Sequence, residues 1–451
     1  MSKIFSYIED NQQRFLDELF VLLRQKSIST IDDGVQECAA LLAQIMEQTG
    51  IKTTIYQTPR HPVVYGEMLV DPAAPTLLVY GHYDVQPPEP LELWHSEPFE
   101  PEVRDGKIYG RGTSDNKAQL FAHIKGMEAY LKCCGKPPVN VKYLFEGEEE
   151  IGSPNLNAFA AEHKDLLKSD VAIFSDSHIH ESGRPMIVLG LKGLCFVEVT
   201  LTGANRDLHS MKAASVPNPL WRMVGLLDSL KGEDGFVKID GFYDDVRPLL
   251  ELEVQAVEKI PQDQESILRD LGLTSLLEGR TGSHYYYNLI FEPTCNLAGI
   301  YGGYMGEGSK TVLPNKVTAK IDMRLVPDQD PDDIYEKFKT HLTAHGYGDA
   351  EVRHFGMIWP SRTPIDNPYV QMAADAVTTA WGEEPVIFPG IGGGGPNYVF
   401  TDTLNTPCIV VPFAGHDQNN HAPDENMDVQ YYLNGIKTAA ALLDKLGGEK
   451  A

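Results

Sequence analysis

The sequence predicts an α/β protein in which a mixed sheet is flanked by helices on both faces and a second, α+β domain is inserted into the first. Two observations carry that prediction. Apolar runs of strand length alternate with amphipathic helical stretches through the first 190 residues, and beyond them the pattern changes to strands with partial alternation followed by helices. A third sets the scale: 451 residues with 42% hydrophobic side chains suffice for the cores of two domains.

In chain order, MSKIFSYIEDNQQRFLDELFVLLRQKS places Ile4, Ile8, Phe15, Leu19, Leu22 and Leu23 at helical spacing and predicts an opening amphipathic helix. Its mixture of charged and apolar residues does not read as a secretory signal. TLLVYG at 76–81, VNVKYLF at 139–145 and VAIFS at 171–175 read as strands. From about 190, LKGLCFVEVTLTG and NKVTAKIDMRLVP read as strands, and NPLWRMVGLLDSL and DPDDIYEKFKTHLTAHG as helices. From about 365 the chain supplies a helix, the glycine-rich turn GIGGGGPN, the strand CIVVPFAG, a polar loop and a last helix ending near Leu446. The expected division is residues 1–190 with 365–451 as one domain and 191–364 as the insertion.

Composition excludes several classes of partner. With 38 Lys and Arg against 64 Asp and Glu the formal charge is -26, which repels phosphate backbones and anionic lipid. Neither nucleic acid nor a membrane surface is expected as a partner, and every apolar run is broken well short of the roughly 20 residues of a membrane span. The six cysteines, without CxxC spacing, suggest neither a disulfide framework nor a thiolate zinc site. A cytoplasmic protein with reduced thiols is expected.

The chemistry collects where strands end, which is where open α/β sheets place their sites. His82 and Asp84 stand in GHYDVQP, Asp115 in GRGTSDNK, Glu148, Glu149 and Glu150 in FEGEEEIGS, Asp176 in FSDSH, and His416 and His421 in AGHDQNNHAPDEN. A lone strand-end histidine is usually structural and an acidic run alone is usually a solvated turn. Five clusters together are different. Carboxylates gathered near buried strand ends must be protonated, paired or bound to cations, and imidazole with carboxylate suits a pair of divalent ions.

These motifs, in this order from about residue 70 to the C-terminus, resemble the M20-type zinc metallopeptidase superfamily of aminoacylases, carboxypeptidases and carnosinase-like dipeptidases. The resemblance implies a zinc-peptidase-like catalytic domain with an inserted lid and dimerisation domain. It implies that His82 and Asp176 bind one metal, Glu150 and His421 the second, and Asp115 both. Asp84, on the same face of its strand as His82, resembles the residue that orients the ligand imidazole. Glu149 resembles the general base, with Glu148 the weaker candidate, and the Asp115–Asn116 peptide bond is expected to be cis. The reaction implied is amide hydrolysis by a water held between two metals, zinc foremost, with manganese or cobalt as alternatives.

On the insertion, His209 resembles the histidine that reaches the active site of the other subunit of a homodimer to stabilise an oxyanion. Arg324 and Thr311 resemble residues that hold a substrate's free carboxylate. Gly394 stands where related dipeptidases carry Ser. The similarity of GHYDVQPPEPLELWHSEPFEP and KTVLPNKV to the dipeptidase branch favours a small-peptide substrate. An N-acyl amino acid deacylase of the succinyl-diaminopimelate or acetylornithine type is the alternative, and a non-catalytic metal-binding relative a third reading, which the presence of Glu149 disfavours.

Overall fold

Eight strands form a mixed sheet whose order follows from four apolar segments that pair in parallel. The computed structural model describes residues 1–262 and 264–448. Across the large sheet the strands run Lys52–Tyr56, Val63–Met68, Asn140–Glu146, Thr76–His82, Val171–Phe174, Cys408–Val410, Met186–Val188 and Val386–Phe388. The four from Asn140–Glu146 to Cys408–Val410 are mutually parallel, so their carboxyl ends share one edge. Their near-continuous burial is what a sheet covered on both faces requires.

One face packs against the helices Ser2–Asp10, Gln12–Arg24, Val35–Thr49, Lys117–Cys134, Pro368–Trp381 and Val429–Gly448. Two of these lie almost backbone to backbone: a Cβ on Gly126 would stand 2.6 Å from Ala439 Cβ, so only glycine lets them approach. The opening segment is two helices and not one. Asn11 breaks it, its side-chain amide donating to the Tyr7 carbonyl at 2.8 Å and competing with helical pairing. All six predicted core residues of the segment are nonetheless buried.

The small sheet is antiparallel, in the order Thr294–Gly302, Lys316–Leu325, Gly193–Thr202 and Glu351–Ile358. Along Gly193–Thr202, Cys195, Val197, Val199 and Leu201 point to a core shared with Met223 and Leu226 of helix Pro219–Leu230 and Phe338 and Leu342 of helix Pro331–Ala344. Both helices, and Pro368–Trp381, begin with an Asn-Pro or Asp-Pro pair. Asn218, Asp330 and Asn367 each accept the N–H two residues on while proline occupies the first helical position.

One segment departs from the sequence order. Helices Glu251–Glu258 and Ser283–Phe291 fall between strands of the small sheet, yet Val257, Ile260, Tyr286 and Ile290 are buried with Val386 and Phe388 in the core on the second face of the large sheet. The two sheets are thereby joined by more than their connecting strands. Among the described residues no helix is long and apolar enough to cross a membrane, and all six cysteines are free.

Candidate metal centre

At the shared carboxyl edge, His82 ends its strand with its side chain wholly buried. Its Nε2 lies 2.9 Å from Asp115 Oδ1 and 3.4 Å from Asp176 Oδ2. Neither approach has the geometry of a hydrogen bond, and Nε2 is left without a partner. On the opposite side of Asp115, His421 Nε2 stands 3.0 Å from Oδ2 and 3.2 Å from Glu150 Oε2. The two oxygens of Asp115 therefore face two different imidazoles. His82, Asp115 and Asp176 form one convergent group, and Asp115, Glu150 and His421 a second.

A buried nitrogen with no hydrogen-bond partner, aimed at carboxylate oxygens, is what ligands around a cation present. The electrostatics agree with this fit. Burial opposes charging of His82, but Asp115, Asp176 and Asp84 hold its protonated form well above the usual imidazole range. Hydrogen bonds to Asp115 and Glu150 push His421 up to about 10. Burial, with Asp115 nearby, raises Glu150 and Asp176. So many carboxylates demand positive charge among them.

Glu149 opens into the same cleft, a space of about 290 Å³ also lined by Asp115, Asp176, His421 and Gly393–Gly395, but it belongs to neither group. Loss of hydration, with Asp176 and Asp115 close by, holds its carboxyl well above the usual carboxylate range. Asp84 does two things. It faces His82 Nδ1, with Oδ1 at 3.4 Å and the carbonyl at 3.1 Å, and its carboxylate accepts the N–H groups of Glu149 at 3.2 Å and Glu150 at 3.1 Å. The backbone carbonyl of Asp84 thus meets the ring, and its buried carboxylate pins the turn of the acidic run.

Gln86, which carried no signal in the sequence, donates to Glu150 Oε2 at 2.8 Å. The Asp115–Asn116 peptide bond is cis, as expected, and Asn116 accepts the His82 N–H at 3.3 Å. Glu148 is buried and saturated, accepting from the His61 N–H at 2.7 Å, Thr58 Oγ1 at 3.1 Å and Asn155 Nδ2 at 2.8 Å. It ties the acidic turn to residues 58–61 and faces none of the ligands. His416 is exposed and joins neither group.

The remaining candidates lie on or beside the small sheet. Arg324, half-buried, has its Nη1 3.5 Å from the place a Cβ on Gly394 would occupy. They meet because the glycine loop is pinned where the chain crosses between the sheets: Lys192 N–H donates to the Gly393 carbonyl at 2.9 Å, and Leu191 bridges Ile391. Among the described residues no carboxylate pairs with Arg324. His209 and Thr311 are exposed neighbours on a short ribbon, Leu208–His209 against Val312–Leu313, and neither lines the cleft.

Comparison with known proteins agrees with this layout. The chain is 29% identical to the Cys-Gly metallodipeptidase DUG1 of Candida albicans, over 99% of this chain and 97% of that protein. It is 27% identical to the Beta-Ala-His dipeptidase of Rattus norvegicus, over 99% and 95%. Its fold matches the M20 family metallo-carboxypeptidase Sso-CP2 from Sulfolobus solfataricus with a TM-score of 0.91 and 37% identity, covering 96% of this chain and 99% of that one. The di-peptidase Dug1p from Saccharomyces cerevisiae matches at 0.84 and 25%, covering 100% and 99%. Residues 78–445, which hold every member of the two convergent groups, match the model of Peptidase family M20/M25/M40, and the chain belongs to that family.

Proposed function

We propose that this peptidase hydrolyses the amide bond of dipeptides and similar short peptides ending in a free carboxylate, using two divalent cations. The observation that carries the reading is the pair of convergent groups sharing Asp115, with Glu149 beside them and outside both. His82, Asp115 and Asp176 would hold one cation, and Asp115, Glu150 and His421 the other. Zinc suits imidazole with carboxylate best, while so oxygen-rich a set would also accept manganese or cobalt. Such a pair supplies a water that is nucleophilic at neutral pH and polarises the scissile carbonyl.

The protein's own groups do the rest. Asp84 keeps the His82 ring turned so that Nε2 faces the carboxylates. Glu149 takes the proton of the attacking water and carries it to the leaving amine. Arg324, with no carboxylate pairing it among the described residues, takes the substrate's terminal carboxylate, with the amides of the loop at Gly394 as neighbours and Thr311, outside the cleft in this structure, as a further donor once the lid closes. In this reading the small sheet, within residues 191–364, is a lid. His209, exposed on its ribbon, serves the active site of a second copy in a homodimer formed through that lid. The compartment in keeping with six free cysteines is the cytoplasm.

The test is metal-stripped protein, restored with zinc, manganese or cobalt, on matched panels of dipeptides and N-acyl amino acids. Metal-restored cleavage of dipeptides is expected; turnover of the acyl amino acids alone would move the assignment to the deacylases. Arg324→Ala adds a finer expectation. It should cost about 2–4 kcal/mol in kcat/KM on free dipeptides and almost nothing on their C-terminal amides. Equal losses on both would remove Arg324 from carboxylate recognition.

A further inference from the structure

Glu425 is wholly buried and meets five donors. Its Oε2 accepts from Arg111 Nη1 at 2.8 Å and Gly112 N–H at 2.9 Å. Its Oε1 accepts from Ser114 N–H at 2.8 Å, Ser114 Oγ at 2.9 Å and Asp115 N–H at 3.0 Å. A carboxylate offers about four lone-pair sites, all acceptors, so this one is saturated. Arg111, 1% exposed, supplies the compensating charge that such burial requires.

The location matters more than the saturation. Glu425 follows His421 by four residues, and the backbone there is fastened to the segment before Asp115. Strand Asn426–Asp428 pairs with Lys107–Tyr109, and Gly110 N–H donates to the Glu425 carbonyl at 3.0 Å. The carboxylate then grips residues 111–115 end to end, finishing on the amide of Asp115 itself. Asp115 and His421, 306 residues apart in the chain, stand 3.0 Å apart in space with this clamp behind both.

We propose that Glu425 is a positioning residue that holds Asp115 and His421 in mutual register, so that the group Asp115, Glu150 and His421 is built before a cation arrives. The proposal rests on the two-cation reading above. It predicts a site-selective effect: loosening the clamp should weaken this group more than the group His82, Asp115 and Asp176, whose other two members sit on strands of the large sheet or directly after them. A purely structural role would lower stability without discriminating between the groups.

Glu425→Gln is the sharp variant, since whichever oxygen becomes NH2 must face two or three donors. Zinc is titrated calorimetrically into the metal-stripped full chain, with His421→Ala identifying which binding step belongs to the second group. Glu425→Gln should weaken that step by about 10–100-fold, the size of effect seen when a residue supporting a metal ligand is lost. Leu226→Ala, in the core of the small sheet, lowers the melting temperature without touching the clamp and should leave both steps unchanged. Ser114→Ala removes one donor of five and should weaken the same step by about 2- to 10-fold.

A Glu425→Gln protein with both affinities at the wild-type level overturns the proposal, as does a loss matched by Leu226→Ala. If Glu425→Gln does not fold, Ser114→Ala decides, and unchanged affinity there overturns it equally. Wild-type protein that binds fewer than two zinc ions would instead sink the two-cation reading.

Discussion

Glu149→Gln is expected to lose most turnover while keeping the metal content of the wild type. The amide keeps the shape and an acceptor oxygen but cannot take a proton, so kcat should fall by about 10²–10⁴-fold with KM little changed. Because Glu149 belongs to neither convergent group, metal content should match the wild type. The neighbouring Glu148→Gln gives the opposite pattern. Its carboxylate accepts from His61, Thr58 and Asn155, so an amide there faces donors and should cost about 1–3 kcal/mol of stability, with metal content retained. Elemental analysis, thermal melts and steady-state rates on the two variants separate the base from the tether. A Glu149→Gln enzyme keeping more than about a tenth of wild-type kcat would remove Glu149 from proton transfer.

Asp115→Asn is expected to be the most damaging single change among the ligands. Oδ1 faces His82 and Oδ2 faces His421, at 2.9 and 3.0 Å, so one carboxylate serves both groups. An amide leaves one imidazole opposite an NH2 and removes the negative charge that both cations would share. The variant should bind fewer than two ions per chain after dialysis and show only background hydrolysis, with its circular dichroism unchanged. Two ions retained and turnover within about tenfold of wild type would show that Asp115 does not join the two groups.

The fold class was legible in a signal that survives in one dimension, and the candidate site residues in short motifs that resemble those of the family. Strand-length apolar runs at 76, 140 and 171 end in ionisable residues or within two residues of one, and parallel pairing puts those ends, with that of the run at 408, on one edge. Alternation along Gly193–Thr202 announced a sheet with one buried face. The break at Asn11 was less legible, because apolar spacing runs through it unchanged and only a local side-chain bond interrupts the helix.

Other features have no one-dimensional signal. Nothing local marks Val257, Ile260 and Tyr286 as covering the large sheet instead of the small one beside them in sequence. Glu146, Glu148, Glu149 and Glu150 look alike in a row. Their roles differ because Tyr80 and Ser153 take Glu146, a saturating set of donors takes Glu148, Glu149 is left facing the cleft and His421 meets Glu150.

The sequence by itself determined which residues could bear the chemistry, since residue type and short motifs such as GHYDVQP and GRGTSDNK are read locally. Only the tertiary structure decided how they are held. Asp84 gripping the acidic turn, Gln86 on Glu150, Glu425 behind Asp115 and Arg324 against the glycine loop are contacts between segments far apart in the chain. The first three are directional polar bonds and the last a close approach; all are made when packing of the core brings loops together, and they impose no periodicity that a sequence could display.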